Sequence, residues 1–173
     1  MRRLSFGVLF IALATLVLEL MLTRVFDIVL IPNLAYFVVT AAVFAFGMAG
    51  IYATLKPLPA GRDVHGFLAA RCVGFALFTA LLVPLINWLP LDYNAAGRAP
   101  LKTISAFAVL YVALVIPFYL AGSALIAAFS AYSAQIQKLY CWDLVGAGLG
   151  SMLVIPFIAP IGPGGLMLCA AGL

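Results

Sequence analysis

The sequence predicts an all-α fold, a polytopic bundle of five transmembrane helices followed by a truncated sixth. Three observations support this prediction: 67% of the residues are apolar, only 8% are charged, and the mean hydropathy is +1.26. A soluble domain carries about 25% charged residues, so a chain this poor in charge is suited to lipid as its solvent. The 173 residues suffice for five or six spans of about 20 residues each.

Long apolar runs, separated by proline, glycine and polar residues, set the predicted spans. These spans cover residues 5–30, 34–55, 67–89, 103–132 and 139–158, and a partial run covers 166–173. Pro32 separates the first two runs, and polar residues at 61–66 and 92–98 separate later ones. A turn is predicted at 160–165, and the run after it is too short to cross a bilayer. We therefore expect a single transmembrane domain, residues 1–173, that is a fragment of a longer chain; the alternative is a short re-entrant tail.

The net charge of +4 arises from basic residues near the ends of the apolar runs, where they determine membrane orientation. With the N-terminus in the cytoplasm, the inner side receives more basic residues than the outer side. The inner set is Arg2, Arg3, Lys56, Arg62, Arg71 and Lys138, and the outer set is Arg24, Arg98 and Lys102. This bias predicts a multi-pass protein with a cytoplasmic N-terminus. The plasma (inner) membrane of a bacterium is a separate expectation that the bias does not establish. No basic stripe with interleaved aromatic residues is present, which argues against nucleic acid as a partner.

Three charged residues in the apolar runs are the candidate intramembrane polar sites. Glu19 and Arg24 lie in the first run, and Asp143 lies near the start of the fifth. A bare charge at the bilayer centre costs about 2.5–3.5 kcal/mol on insertion scales, so such residues are retained where partners or function compensate. Glu19 and Arg24 are about 140° apart around a helix, so each is expected to reach a partner on another helix. They are interpreted either as clamps between helices or as a relay for protons or a polar substrate.

Glycines at short spacing favour close packing of membrane helices. Gly146 and Gly150 form a GxxxG pattern in the fifth run. Gly47 and Gly50 lie in a small-residue stretch of the second run, and Gly122 lies in one of the fourth. All five are predicted to be helix-packing positions.

The sequence contains no recognisable pattern of catalytic or metal-binding residues. Its three cysteines are far apart, it has one histidine, and no P-loop, HExxH motif or paired-carboxylate site occurs. The run 146–151 superficially resembles a GxGxxG dinucleotide motif, but its last glycine is displaced and no βαβ pattern surrounds it. No cofactor, metal or catalytic residue is therefore assigned, and the lipid bilayer is the expected partner.

Several motifs resemble those of the N-terminal transmembrane domain of membrane-bound spermidine synthase-like proteins, a polyamine aminopropyltransferase-like family. The segment 19–24 is similar to the E-x-x-L-x-R of its first helix, and 46–50 resembles its small-residue second helix. The segment 139–150 contains a match to its Y-x-x-D-L-x-G-A-x-x-G, the most specific of these motifs. Pro117, Phe118 and Gly122 fit its P-F-x-x-x-G. The order and spacing agree along nearly the whole chain.

The resemblance implies a role in membrane anchoring or regulation. In that family the chemistry belongs to a Rossmann-like domain after the helices, which binds decarboxylated S-adenosylmethionine and a polyamine. We therefore expect a cytoplasmic transferase domain after residue 173, and no catalytic residue is carried over to this chain. Two alternatives stay open. One is a small transporter-like bundle in which Glu19, Arg24 and Asp143 line a path for a cation or organic amine. The other is a structural membrane subunit, and a second copy of the chain is a further candidate partner.

Overall fold

The computed structural model describes residues 2–29, 35–56, 58–59, 63–88 and 100–173, without the side chains of Arg2 and Val29. These residues form an all-α bundle, with no strand among them, which confirms the predicted fold class. The helices are α1 (Arg2–Val29), α2 (Ala35–Leu55), α3 (Asp63–Trp88), α4 (Pro100–Ala131) and α5 (Ile136–Gly172), with a 3-10 turn at Ser133–Gln135. All five are long and apolar enough to cross a membrane.

The helix bounds differ from the predicted spans at two places. α3 begins at Asp63, so residues 63–66 form its first turn instead of a loop. A carboxylate at this position is favoured by the positive end of the helix dipole. α5 includes the turn predicted at 160–165, and its helical backbone is broken at Gly162 alone. The predicted break at Pro32, the loop 92–98, and Arg62 and Arg98 lie outside the described residues, as does the side chain of Arg2.

α1 is the central helix of the bundle. In its most apolar 18-residue window 61% of the residues are buried, against 28, 17, 33 and 11% in α2 to α5. The side chains of Leu18, Met21 and Leu22 are fully buried, and they belong to one apolar cluster with Leu110 and Phe118 of α4.

Aromatic and glycine contacts fix the direction of α1 relative to α5. The rings of Phe6 and Trp142 lie 5.4 Å apart between centroids, and further along Gly150 lies against Leu13. Residue numbers therefore rise together along both helices, so α1 and α5 run parallel.

The other helices alternate in direction. α2 and α4 run parallel, since the ring of Tyr111 lies 4.9 Å from that of Phe37 and the ring of Tyr119 lies 6.4 Å from that of Tyr52. α3 is antiparallel to α4, because its start lies beside the end of α4, where the Tyr132 hydroxyl is 3.5 Å from the imidazole of His65. We call the end of the bundle where α1, α3 and α5 begin the N-terminal face, and the other end the opposite face.

The chain reverses direction at Gly162, near the opposite face. This residue has φ 75° and ψ 166°, and it carries the only positive φ among the described residues. Glycine adopts this conformation readily because it has no Cβ, whereas other residues are strained there. One glycine therefore divides α5 into a long first part and a short returning helix.

The returning helix, residues 163–172, packs against α1 and α3. Gly164 lies next to Val83, close to the end of α3. Residues 170–173 line a cavity of about 330 Å³ together with Gly7 and Cys72, which lie in the first halves of α1 and α3. The returning helix therefore runs from the opposite face back toward the N-terminal face.

We expect Gly162→Ala to destabilise the protein through backbone strain alone. A Cβ at Gly162 meets no described atom within 4 Å, so packing is not disturbed. A residue held in this conformation costs about 1–3 kcal/mol. Thermal unfolding of the purified chain in detergent should show a lower midpoint than wild type. Gly148→Ala is the control, since a Cβ at Gly148 also meets no described atom within 4 Å but the backbone there is helical. Equal midpoints for the two variants would contradict the chain reversal at Gly162.

Candidate functional site

α1 and α5 approach each other through two glycines of α5. A Cβ on Gly146 would collide with the carbonyl oxygen of Leu9, and a Cβ on Gly150 would lie 2.8 Å from the carbonyl oxygen of Leu13. Both neighbours are backbone atoms inside a helix, so they cannot turn aside as a side chain does. Both glycines are buried. The GxxxG pattern of α5 therefore lies directly against the main chain of α1.

The other three glycines predicted to pack helices have different surroundings. A Cβ on Gly122 of α4 would lie 2.9 Å from the ring of Phe46 in α2. That neighbour is a side chain, so the constraint is weaker than at α1. Gly47 and Gly50 have no described atom within 4 Å of a Cβ position, so α2 does not pack closely through them. Its buried face is formed by alanines and a valine, which are Val38, Ala41, Ala42, Ala45 and Ala49.

The three candidate charges occupy different levels of the bundle. Glu19 and Asp143 are half-buried, whereas Arg24 is exposed. Because Gly146 lies opposite Leu9, Asp143 is level with the first two turns of α1. Glu19 is then about 20 Å further along the helix axis, at a rise of about 1.5 Å per residue. The structure therefore does not bring Glu19 and Asp143 together in one site.

Glu19, Arg24 and Asp143 form no hydrogen bond or ion pair with another described residue. The clamp between helices that one interpretation expects is therefore absent from the described part of the chain. Within the same residues, no three side chains of His, Cys, Asp or Glu are grouped so that they could hold a metal ion. Glu19 is thus a half-buried carboxyl group within the most buried helix.

A cluster of cations and aromatic rings between α2, α3 and α4 was not predicted. The guanidinium carbon of Arg71 lies 4.7 Å from the ring centre of Phe67 and 5.7 Å from that of Tyr119. The ring of Tyr119 meets that of Tyr52 edge-on, and Nζ of Lys56 lies 5.4 Å from the Tyr52 ring centre. The sequence shows each cation four residues after an aromatic residue, Arg71 after Phe67 and Lys56 after Tyr52. It does not reveal that the two pairs meet at Tyr119. We call these five residues the cation–aromatic cluster.

An apolar groove of about 440 Å³ lies between α3 and α4, toward the opposite face. It is lined by Phe78, Leu81, Leu82, Pro84, Leu85, Trp88, Ala113 and Ile116. None of these side chains is charged, so the groove suits an acyl chain better than a polar substrate.

We expect alanine substitutions at the glycines of α5 to lower the thermal midpoint more, the closer the new Cβ lies to the main chain of α1. Gly146→Ala should lower the thermal midpoint most, Gly150→Ala less, and Gly148→Ala should not lower it. Overpacking of this kind costs about 1–3 kcal/mol. Equal midpoints for Gly146→Ala and Gly148→Ala would contradict the proposed packing.

No protein-family model, curated protein or solved structure matches the chain. The described residues offer three structural features for an inference of function: the glycine contact of α1 with α5, the charges at separate levels, and the cation–aromatic cluster. A function for this protein is inferred from these features and from the motifs in its sequence.

Proposed function

We propose that the chain is the integral membrane domain of a spermidine synthase-like protein, where it anchors or regulates an aminopropyltransferase-like domain. One observation carries the proposal. Two of the segments that resemble the family, residues 19–24 and 139–150, lie on α1 and α5, the helices that meet through Gly146 and Gly150. Gly146 and Gly150 meet α1 at Leu9 and Leu13, so the two segments share this pair of helices, with 19–24 further along α1 than the glycine contact.

The segment 139–150 serves the assembly of the bundle in this proposal. Leu139 is buried, and Trp142 packs on Phe6 of α1. Gly146 and Gly150 continue the same contact along α1. All of these positions are explained by helix packing, without a bound substrate.

The distribution of basic residues supports a cytoplasmic N-terminal face. Basic residues toward this face are Arg3, Lys56, Arg71 and Lys138, and those toward the opposite face are Arg24 and Lys102. An excess of Lys and Arg is typical of the cytoplasmic side of a membrane protein. The returning helix 163–172 heads for the N-terminal face, and a sixth span continued in that direction would deliver a following domain to the cytoplasm.

The proposal is tested on the intact gene and its full-length product. We expect the reading frame to continue after Leu173 into a glycine-rich, acid-containing α/β domain. Transfer of an aminopropyl group from decarboxylated S-adenosylmethionine to a polyamine should then sediment with membranes. Deletion of residues 1–173 should move that activity to the soluble fraction. A stop codon directly after Leu173 in the intact gene would contradict the proposal.

A second candidate function is transport of a cation or an organic amine. The half-buried carboxyl group of Glu19, which has no ion-pair partner among the described residues, favours it, because an ionisable group inside a membrane helix is costly unless it is used. Flux of protons or a polyamine through the reconstituted protein should then fall in Glu19→Gln. Lys102→Gln is the control, since this cation is exposed at the start of α4. Flux unchanged by Glu19→Gln and by Asp143→Asn would reject these residues as carriers.

A further inference from the structure

We propose that the cation–aromatic cluster binds the phosphate headgroup of an anionic membrane phospholipid at the N-terminal face. Arg71 and Lys56 supply the positive charge, and the rings of Phe67, Tyr119 and Tyr52 hold the two cations in place. The site does not depend on the proposed function, because any protein embedded in an anionic membrane meets this ligand.

The length of α2 places Lys56 at the boundary of the hydrocarbon layer. α2 has 21 residues and is therefore about 31 Å long, close to the roughly 30 Å of a bilayer core. Lys56 directly follows its last residue, Leu55. The side chains of Ile51 and Leu55 are 55% and 77% exposed, as expected for residues that face lipid. A headgroup phosphate of that lipid lies at the depth of Lys56.

Arg71 lies at the same depth as Lys56, although it is more than two turns into α3. Gly74 of α3 lies against Leu120 of α4, so Tyr119 is level with residue 75. Arg71 is one turn closer to the N-terminal face than that level. In α2, the ring of Tyr52 contacts that of Tyr119. Lys56 is one turn closer to the N-terminal face than Tyr52. Both cations are therefore about 6 Å beyond the pair of tyrosines, at 1.5 Å per residue.

The charge of the cluster is uncompensated within the described part of the protein. Arg71 is half-buried, and its five N–H donors make no hydrogen bond to a described residue. The described residues of α2, α3 and α4 include one acid, Asp63, which lies two turns or about 12 Å along α3 from Arg71. A cation at this depth needs an anion or water, and the available anion is the phosphate of a neighbouring lipid.

The aromatic rings make the site more selective than two surface cations. A ring face attracts the guanidinium, and the rings of Phe67 and Tyr119 both lie within 6 Å of it. Stacking fixes the plane of the guanidinium, so its N–H groups are oriented before a phosphate binds. Tyrosine is also enriched at the headgroup level of membranes.

The test measures lipid binding to the purified full chain by native mass spectrometry. The chain in neutral detergent is titrated with phosphatidylglycerol or with phosphatidylcholine of the same acyl chains. We expect preferential binding of phosphatidylglycerol, and about five-fold weaker binding in Arg71→Gln and in Lys56→Gln, which corresponds to about 1 kcal/mol per cation. Arg71→Lys should recover only part of the loss, because lysine keeps the charge but not the planar donor group.

Lys138→Gln is the matched control, because Lys138 is an exposed cation at the same face, at the start of α5. It should leave the preference unchanged. Equal loss in Lys138→Gln and Arg71→Gln, or equal binding of the two lipids by wild type, would overturn the proposal. Displacement of phosphatidylglycerol by millimolar inorganic phosphate would overturn it in favour of a soluble phosphate ligand. Lys56→Gln keeps the test valid if Arg71→Gln fails to fold, because Lys56 is exposed.

Discussion

The contact between the main chains of α1 and α5 is the constraint on which the rest of the bundle depends. In lipid the hydrophobic effect does not draw apolar helices together, so van der Waals contact must do it. The absence of a Cβ at Gly146 and Gly150 allows this contact. Once α5 lies along α1, the reversal at Gly162 directs the returning helix onto α1 as well. α1 is therefore covered from several sides by one chain.

The fold class could be predicted from composition because a membrane allows few alternatives. Backbone groups in lipid must be bonded within the span, so an apolar chain with few charges becomes a set of helices. The packing glycines were harder to predict. α2 is apolar on every side, so its sequence does not tell which face is turned inward, and Gly47 and Gly50 lie away from the close contacts. The GxxxG pattern in α5 does lie at a close contact, since Gly146 and Gly150 share one face.

The sequence shows which charges lie in the apolar runs, but it does not show how they are arranged in space. The sequence shows that Glu19 and Asp143 lie in apolar runs, but their distance depends on how α1 and α5 are aligned along the membrane normal. That alignment is set by packing between helices far apart in the chain. The cation–aromatic cluster could not be predicted from the sequence either, because Arg71 and Tyr119 lie on different helices and only packing brings them together.

The parallel pairing of α1 with α5 has a consequence for biogenesis. Neighbouring helices in a membrane chain can pair as hairpins soon after synthesis, but a parallel pair needs the intervening spans to be in place. Residues 30–135 are made between the end of α1 and the start of α5, which takes roughly 5–20 s at 5–20 residues per second. Throughout that interval Gly146 and Gly150 are not yet available to pack against α1. The most buried helix, α1, is thus made first, and its partner α5 is made last.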